Sequence, residues 1–391
     1  MSFFKIRNES QSCLVNMDCC IPQEKLKALT DLPQNLKFLQ EDELEFTEVL
    51  GGNLNVVIRI SSKYNLSKSV FLKYAPRYTK IFGPDMPLDT ARNHFEYKAL
   101  KKCHDICPEY VPQPFYCSQK ESLLIMEDLV GYNDMGREVL NGVIEMGTIR
   151  DIADFTLKLH KNTHRRKLSR EAFTDMINDF QNDGMVNLLD QFFFTKPWQR
   201  DDPTNRSSAK VKGLHPLIYE NERLLQNVNE LREKFLTQQD CLLHGDLHMS
   251  SIMTKGRHSK IIDAEFACIG PAGFDIGILL ANYLFSYHAD RCYPPEDVAG
   301  FHKTVILETI YDYFNGMSAF LEEIEFNALI SETVGFCGCE LIRRLIGIGY
   351  VLGFEEKPRA EEACIHLGIK LITQYQEVTT TDALISILGM N

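Results

Sequence analysis

The run Leu243-His244-Gly245-Asp246-Leu247-His248 sets the reading of the whole chain. It is followed by Ile261-Ile262-Asp263-Ala264-Glu265 and by Gly273-Phe274-Asp275-Ile276-Gly277. Asp246 falls in a loop between apolar runs, where a carboxylate can meet a hydroxyl. Asp263 ends a short β-branched segment, a rigid place for a metal ligand. Glu265 follows two residues later, and on extended backbone it points to the same side. Phosphoryl transfer asks a protein mainly to position groups and to neutralise charge. A hydroxyl-orienting carboxylate beside carboxylates that hold Mg²⁺ is the minimum apparatus. Asp275 is expected to brace the loop by accepting backbone N–H bonds.

Upstream of this run the pattern is that of a small sheet. Residues 21–40 have helical spacing in Leu26, Leu29, Leu32, Leu36 and Leu39. Strands are expected at Glu45–Leu50, Leu54–Ile60 and Ser69–Tyr74, with turns at Gly51-Gly52 and Asn65–Lys68. A helix is expected over Asp89–Lys102 with Asp89 as N-cap. Pro112 and Pro114 interrupt the pattern, and Glu121–Met126 resumes as a strand closing at Glu127-Asp128-Leu129. Beyond that the chain is mainly helical, Thr148–His160 being the clearest case, with short strands near Leu242 and Ile261. Residues 196–214, rich in Pro, Asp, Asn and Ser, read as a loop. The expected architecture is α+β and bilobal: an antiparallel-sheet lobe over 1–130 and a mainly helical lobe over 131–391.

Length and composition fit this plan. At 391 residues the chain can bury two cores. A formal charge of −12 argues against non-specific binding to nucleic acid or anionic membrane. The basic run Lys158–Arg170 reads as a solvated helix end. The first residues lead into polar sequence without a signal-peptide pattern, and no run reaches the ~18 apolar residues of a membrane span. The 12 cysteines show no paired C-x-x-C metal signature and read as reduced thiols of a cytoplasmic protein.

Several positions carry chemistry only in company. Gly51-Gly52-Asn53-Leu54-Asn55 is either a plain hairpin turn or a backbone cover for nucleotide phosphates. Lys73, inside an apolar strand, needs a partner if it faces inward, and Glu96 on the following helix is a candidate. Backbone groups of Glu127, Asp128 and Leu129 are placed to read an adenine edge. Ser251 stands where kinases usually have a metal-binding Asn, which shifts weight onto Glu265. Gly335 to Gly347 places Arg343 and Arg344 together in an apolar helix. Adjacent helix positions diverge by ~100°, so one arginine is expected in a cleft and the other in an ion pair, with Glu340 in reach of either.

These motifs resemble 5-methylthioribose kinases, within the kinase-like fold shared with aminoglycoside and choline phosphotransferases. The resemblance rests on Gly52-Asn53-Leu54-Asn55, Met126-Glu127-Asp128-Leu129, the His244-Gly245-Asp246 loop, Asp263-x-Glu265-Phe266-Ala267, Gly270-Pro271-x-Gly273-Phe274-Asp275-Ile276-Gly277 and Gly338-Cys339-Glu340-Leu341-Ile342-Arg343-Arg344. It runs from about residue 40 to the C-terminus. It implies ATP and Mg²⁺ as cofactors, with Asn55, Lys73, Glu127, Asp128 and Leu129 at the nucleotide. It implies Asp246 as catalytic base on the anomeric hydroxyl of a small sugar. Asp263, Ala264 and Glu265 would meet metal and phosphates, and Arg343 and Arg344 the sugar. Arg92 matches a family position near the nucleotide loop, and a homodimer is implied.

The chain departs from the family at Met249-Ser250 (usually Thr-Gly), Ala264 (Pro), Met86 (Trp), Lys196 (Asp) and in the glycine turn, where Leu50-Gly51-Gly52 lacks an Asp. None of these removes a charged catalytic group, so sugar specificity is what they bear on. Phe266, Trp198 and Met249 are all candidates for an apolar wall. Competing readings are a kinase for choline or an aminoglycoside, whose cationic substrates the twin arginines disfavour, and a nucleotide-binding pseudokinase scaffold, which the full set of charged groups disfavours. No Asp-Phe-Gly or Ala-Pro-Glu sequence supports a protein kinase.

Overall fold

In a computed structural model the chain divides into two compact units. One comprises 1–90 and 115–128, the other 91–114 and 129–391. The structure describes residues 26, 29, 32–49, 54–65, 67–80, 83–140, 144–292, 297–349, 351–354 and 356–391. The expected turn at Gly51-Gly52 lies outside these residues.

The first unit is built on five strands: β1 (Leu44–Val49), β2 (Val56–Ser62), β3 (Ser69–Tyr74), β6 (Pro114–Ser118) and β7 (Leu123–Glu127). Their order is β1-β2-β3-β7-β6. Two further strands, β4 (Tyr78–Thr79) and β5 (Gly83–Pro87), form an antiparallel pair outside that sheet. Period-2 alternation sends Ile58, Ile60, Val70, Leu72, Leu123 and Ile125 to one face. There they bury Leu26, Leu29, Leu36, Phe38 and Leu39. The helical spacing read over 21–40 is broken at Pro33, which has no N–H to donate. A 3₁₀ turn at Gln34–Leu36 and a short helix at Phe38–Glu41 follow it. Lys73 pairs in register with Val57 and Leu124. It therefore points away from the Leu72 face, yet only 6% of it is exposed. Lysines are buried to this degree only when their charge is matched.

The helix expected from Asp89 begins instead at Arg92 and runs to Ile106, with Ala91 at its N-cap position. It belongs with the second unit. There, β8 (Asn133–Asp134) joins β10 (Ile252–Lys255) and β11 (His258–Ile261) in the order β11-β10-β8. A separate pair, β9 (Cys241–Leu243) and β12 (Cys268–Gly270), runs antiparallel. Long helices make up most of the rest, including Met146–Thr163, Gly273–Cys292, Asp297–Ser318 and Glu323–Ile346. The Gly273–Cys292 helix is apolar around most of its circumference and accordingly buried. The tail of the expected 196–214 loop is helical, because Ser208 caps a helix over Ala209–Tyr219 by accepting from Val211 N–H. Phe274 and Phe336 of these helices meet Phe193, Phe194 and Phe235 in a cluster of tilted and edge-on rings, with Phe193 and Phe194 centroids 4.5 Å apart.

Candidate active site

The loop carrying Asp246 leaves β9 and turns at Gly245, whose φ is +84°. A Cβ there would lie 2.4 Å from the carbonyl oxygen of Phe266. Both the left-handed backbone and this approach admit glycine alone. Asp275, fully buried, accepts N–H bonds from His244 (2.7 Å) and Gly245 (2.9 Å). Its Oδ2 also faces His160 Nε2 at 3.2 Å, and His160 Nδ1 sits 2.7 Å from the Tyr313 hydroxyl. A buried chain of side chains thus stands behind the loop. His160 and Tyr313, on two separate helices, carried no motif that could have flagged them.

The histidines flanking Asp246 have assignable tautomers. His244 Nε2 lies 2.9 Å from the Ile262 carbonyl, which only accepts, so that nitrogen carries the proton. Its Nδ1 then accepts from Asp246 N–H at 3.3 Å. His248 Nδ1 accepts from Ser250 N–H, leaving Nε2–H to donate to Asp246 Oδ2 at 3.2 Å. His248 thus touches the carboxylate itself. Ser251 donates its hydroxyl to the Asp246 carbonyl at 3.0 Å and is buried, so it too braces the loop.

The paired arginines do not diverge as simple helix geometry suggested. Both turn onto Glu340: Arg343 Nε meets Oε2 at 2.5 Å, and Arg344 Nε meets Oε1 at 2.6 Å. Long guanidinium stems take up the ~100° between them. Arg344 Nη2 also lies 3.8 Å from Asp246 Oδ1, while Arg343 stacks over the Phe193 ring at 4.8 Å. Burial pushes the Asp246 carboxyl up, but His248, Arg344 and Arg343 outweigh it and hold its pKa well below the usual range. Glu340 is likewise raised by burial and lowered more strongly by Arg343 and Arg344. Burial lowers Arg343 below its ordinary value. For Arg344, Glu340 and Asp246 overcome burial and raise it.

Asp263 and Glu265 do not share an extended segment. Asp263 is in the left-handed region (φ 71°, ψ 38°) and Ala264–Phe266 is a 3₁₀ turn, so two-residue alternation does not govern them. A non-glycine residue held there is a local cost borne by the surrounding structure. Glu265 is buried, and its Oε2 lies 3.8 Å from Nε of the equally buried Arg92. Asn182, which no motif marked, donates its amide to the carbonyls of Glu265 (2.9 Å) and Ala267 (3.1 Å). Two carboxylates of this kind suit a hard divalent cation that keeps waters and substrate oxygens in its shell. Among the described residues no group of three or more His, Cys, Asp or Glu is gathered as an all-protein cage.

In the first unit Asn55 is buried immediately before β2. The Asp128 side chain, 4% exposed, forms a 2.6 Å ion pair with Arg59 of β2 and so serves the unit's own structure. Glu127 ends β7, while Leu129 starts the second unit. Lys73 and Glu96 fall in different units. Of the three apolar-wall candidates, Trp198 is buried with its indole N–H on the Phe193 carbonyl (2.9 Å). Phe266 and Met249 are half-buried, and Met249 Sδ is 3.9 Å from the Ser286 hydroxyl.

A phosphotransferase enzyme family model matches residues 102–300. Methylthioribose kinase from Bacillus velezensis is 31% identical over 331 residues, covering 82% of this chain and 82% of that one. The methylthioribose kinase of Geobacillus kaustophilus is 30% identical over 356 residues, covering 86% and 88%. Among solved structures, choline kinase from Cryptosporidium parvum aligns with a TM-score of 0.51 at 13% identity, covering 94% of this chain and 96% of that one, a likeness of fold. The bilobal, protein-kinase-like α+β architecture is therefore the right one, and the chain belongs to the phosphotransferase enzyme family and, within it, to the methylthioribose kinases: it is a small-molecule kinase.

Proposed function

We propose that this protein transfers the γ-phosphoryl group of ATP to the anomeric (C1) hydroxyl of 5-methylthioribose, giving 5-methylthioribose 1-phosphate for methionine salvage. The observation that carries the reading is the 3.8 Å approach of Arg344 to Asp246, with both arginines seated on one buried glutamate. A sugar hydroxyl that donates to Asp246 finds cationic donors beside it. The Asp246 carboxylate, kept ionised by His248 and the arginines, orients that hydroxyl and accepts its proton late in transfer. Arg343 and Arg344 offset the negative charge of the transferring group.

In this reading, which takes 1–130 as the nucleotide-binding lobe, Asn55, Lys73 and the Glu127–Leu129 backbone bind ATP. In the second unit, Asp263 and Glu265 hold Mg²⁺, with Ala264 at the nucleotide, Arg92 beside Glu265 and Ser251 bracing the base. Bound Mg²⁺ would neutralise phosphate charge. Glu96 supports the nucleotide-binding lysine in the same reading. No described helix is long and apolar enough to cross a membrane. The reading takes the enzyme as cytoplasmic, and the family resemblance suggests a homodimer. Met249, half-buried three residues from Asp246, suits the methylthio group best of the three wall candidates.

The test is ADP release over methylthioribose, ribose and choline, with phosphorus NMR of the product. A C1 phosphate from methylthioribose is expected. Turnover of another alcohol without methylthioribose would overturn the substrate, and a phosphate on another hydroxyl would overturn the position.

A further inference from the structure

Two adjacent guanidinium groups at the acceptor end of a transfer site ought to attract anions. The structure contains a device against this. Glu340, with no exposed surface, takes the Nε edge of both arginines. Asp246 takes a second edge of Arg344. The four groups together carry two positive and two negative charges. Arg343 is 11% exposed at its side chain and rests on Phe193, so its terminal nitrogens stay available to neutral oxygen acceptors.

We propose that Glu340 is a specificity-determining residue: by cancelling one guanidinium charge it makes the acceptor site select an uncharged polyhydroxyl compound over phosphorylated sugars. A sugar phosphate must draw Arg344 away from two carboxylates that already hold it. A neutral sugar gains hydrogen bonds from both arginines without moving any charge. The inference rests on the arginine pair being the acceptor end, but not on which neutral sugar binds there.

Glu340→Gln keeps the size and removes the charge; Glu340→Asp keeps the charge on a shorter stem. Calorimetric titration of the full chain with inorganic phosphate and with ribose 5-phosphate reads the effect directly. The wild type is expected to bind ribose 5-phosphate at least tenfold more weakly than it binds its neutral acceptor. Glu340→Gln is expected to tighten both anions by about tenfold or more, a modest return for a full charge a few Å away. Glu340→Asp should leave anion affinity at the wild-type level even where turnover falls. Unchanged or weaker anion binding in Glu340→Gln overturns the inference. So does a wild type that binds ribose 5-phosphate as tightly as the neutral acceptor, a measurement that stands even where the glutamine variant does not fold. If methylthioribose is inert but another neutral sugar is phosphorylated with this same anion response, the substrate reading fails and the role of Glu340 stands.

Discussion

Replacing Asp275 with asparagine tests whether the catalytic loop is held from behind. In the wild type one carboxylate oxygen receives the N–H of His244 at 2.7 Å and the other that of Gly245 at 2.9 Å. Asparagine offers one oxygen and one amide nitrogen. Whichever way it turns, one buried backbone donor faces another donor. The surviving bond also drops from a charged to a neutral acceptor, a loss of about 1 kcal/mol, and the orphaned N–H adds roughly 1–3 kcal/mol. Destabilisation of about 3 kcal/mol is expected for Asp275→Asn. Asp275→Ala orphans both donors and removes the partner of His160, so its cost should be roughly 5 kcal/mol. Urea titration followed by tryptophan fluorescence measures both, since the one tryptophan, Trp198, lies in the same unit. Amide exchange at His244 and Gly245 should quicken in step, and kcat should drop by about 100-fold through misplacement of Asp246. An Asp275→Asn protein with wild-type midpoint and wild-type turnover would refute this account of the loop.

Asp246→Asn should lower kcat by ~10²–10⁴ while nucleotide affinity measured by titration stays within about twofold, because the change removes only the proton acceptor; a comparable loss of nucleotide binding would contradict the assigned role. Gly245→Ala drives a Cβ into the Phe266 carbonyl at 2.4 Å and demands a positive φ of alanine. Turnover should fall at least about 100-fold with helix content intact by circular dichroism. Burial lowers the pKa of His164, against the pull of Asp240, to about 4, and that of His288, reinforced by Arg291, also to about 4. The unfolded chain therefore binds these protons first as pH falls below about 6.5, and folding stability should drop from there to pH 4 by up to about 1.4 kcal/mol per pH unit for each histidine. Denaturant midpoints that stay level across that window in wild type, with no flattening in His164→Gln, would count against their burial in the neutral form.

What was legible in the chain was mostly what is local. The strands of the first unit follow from alternation, and β2 and β3 lie close to their expected bounds because β-branched residues and short turns agree there. The helix start at Arg92 was misplaced because Asp89 is a good capping residue by type, and only the actual path of the backbone denies it that role. The helical spacing read over 21–40 overlooked Pro33, which has no N–H to donate and precedes a 3₁₀ turn at Gln34–Leu36. In the site, residue types and spacing pointed to Asp246, Asp263, Glu265 and the arginines. Their geometry was not legible. Simple alternation could not anticipate a left-handed Asp263, and a helical wheel treats side chains as radial spokes although arginine is long enough to swing through a whole quadrant. Asn182, His160, Tyr313 and Arg59 were invisible for a different reason. Each acts across a separation of 69 or more residues, on a backbone carbonyl, a carboxylate or, for Tyr313, the His160 ring, and no spacing rule connects the partners.

Asp246 and the arginines reach one another through a single pair of helices. Asp275, which holds the loop of Asp246, sits in the first turn of the Gly273–Cys292 helix. Glu340, Arg343 and Arg344 lie on the Glu323–Ile346 helix. Those two helices touch almost backbone to backbone: a Cβ on Gly273 would come within 2.9 Å of Thr333 N, and one on Gly277 within 2.9 Å of Cys337 N. At such contacts no side chain is available to give way, so the helices cannot slide without a clash. The register fixed at Gly273 and Gly277 is carried along one helix to the brace of Asp246 and along the other to the arginines. The 3.8 Å between Arg344 and Asp246 is thus an interhelical distance expressed through side chains. That is why two glycines with no chemistry of their own stand in the same sequence motif as Asp275, which holds the loop of Asp246.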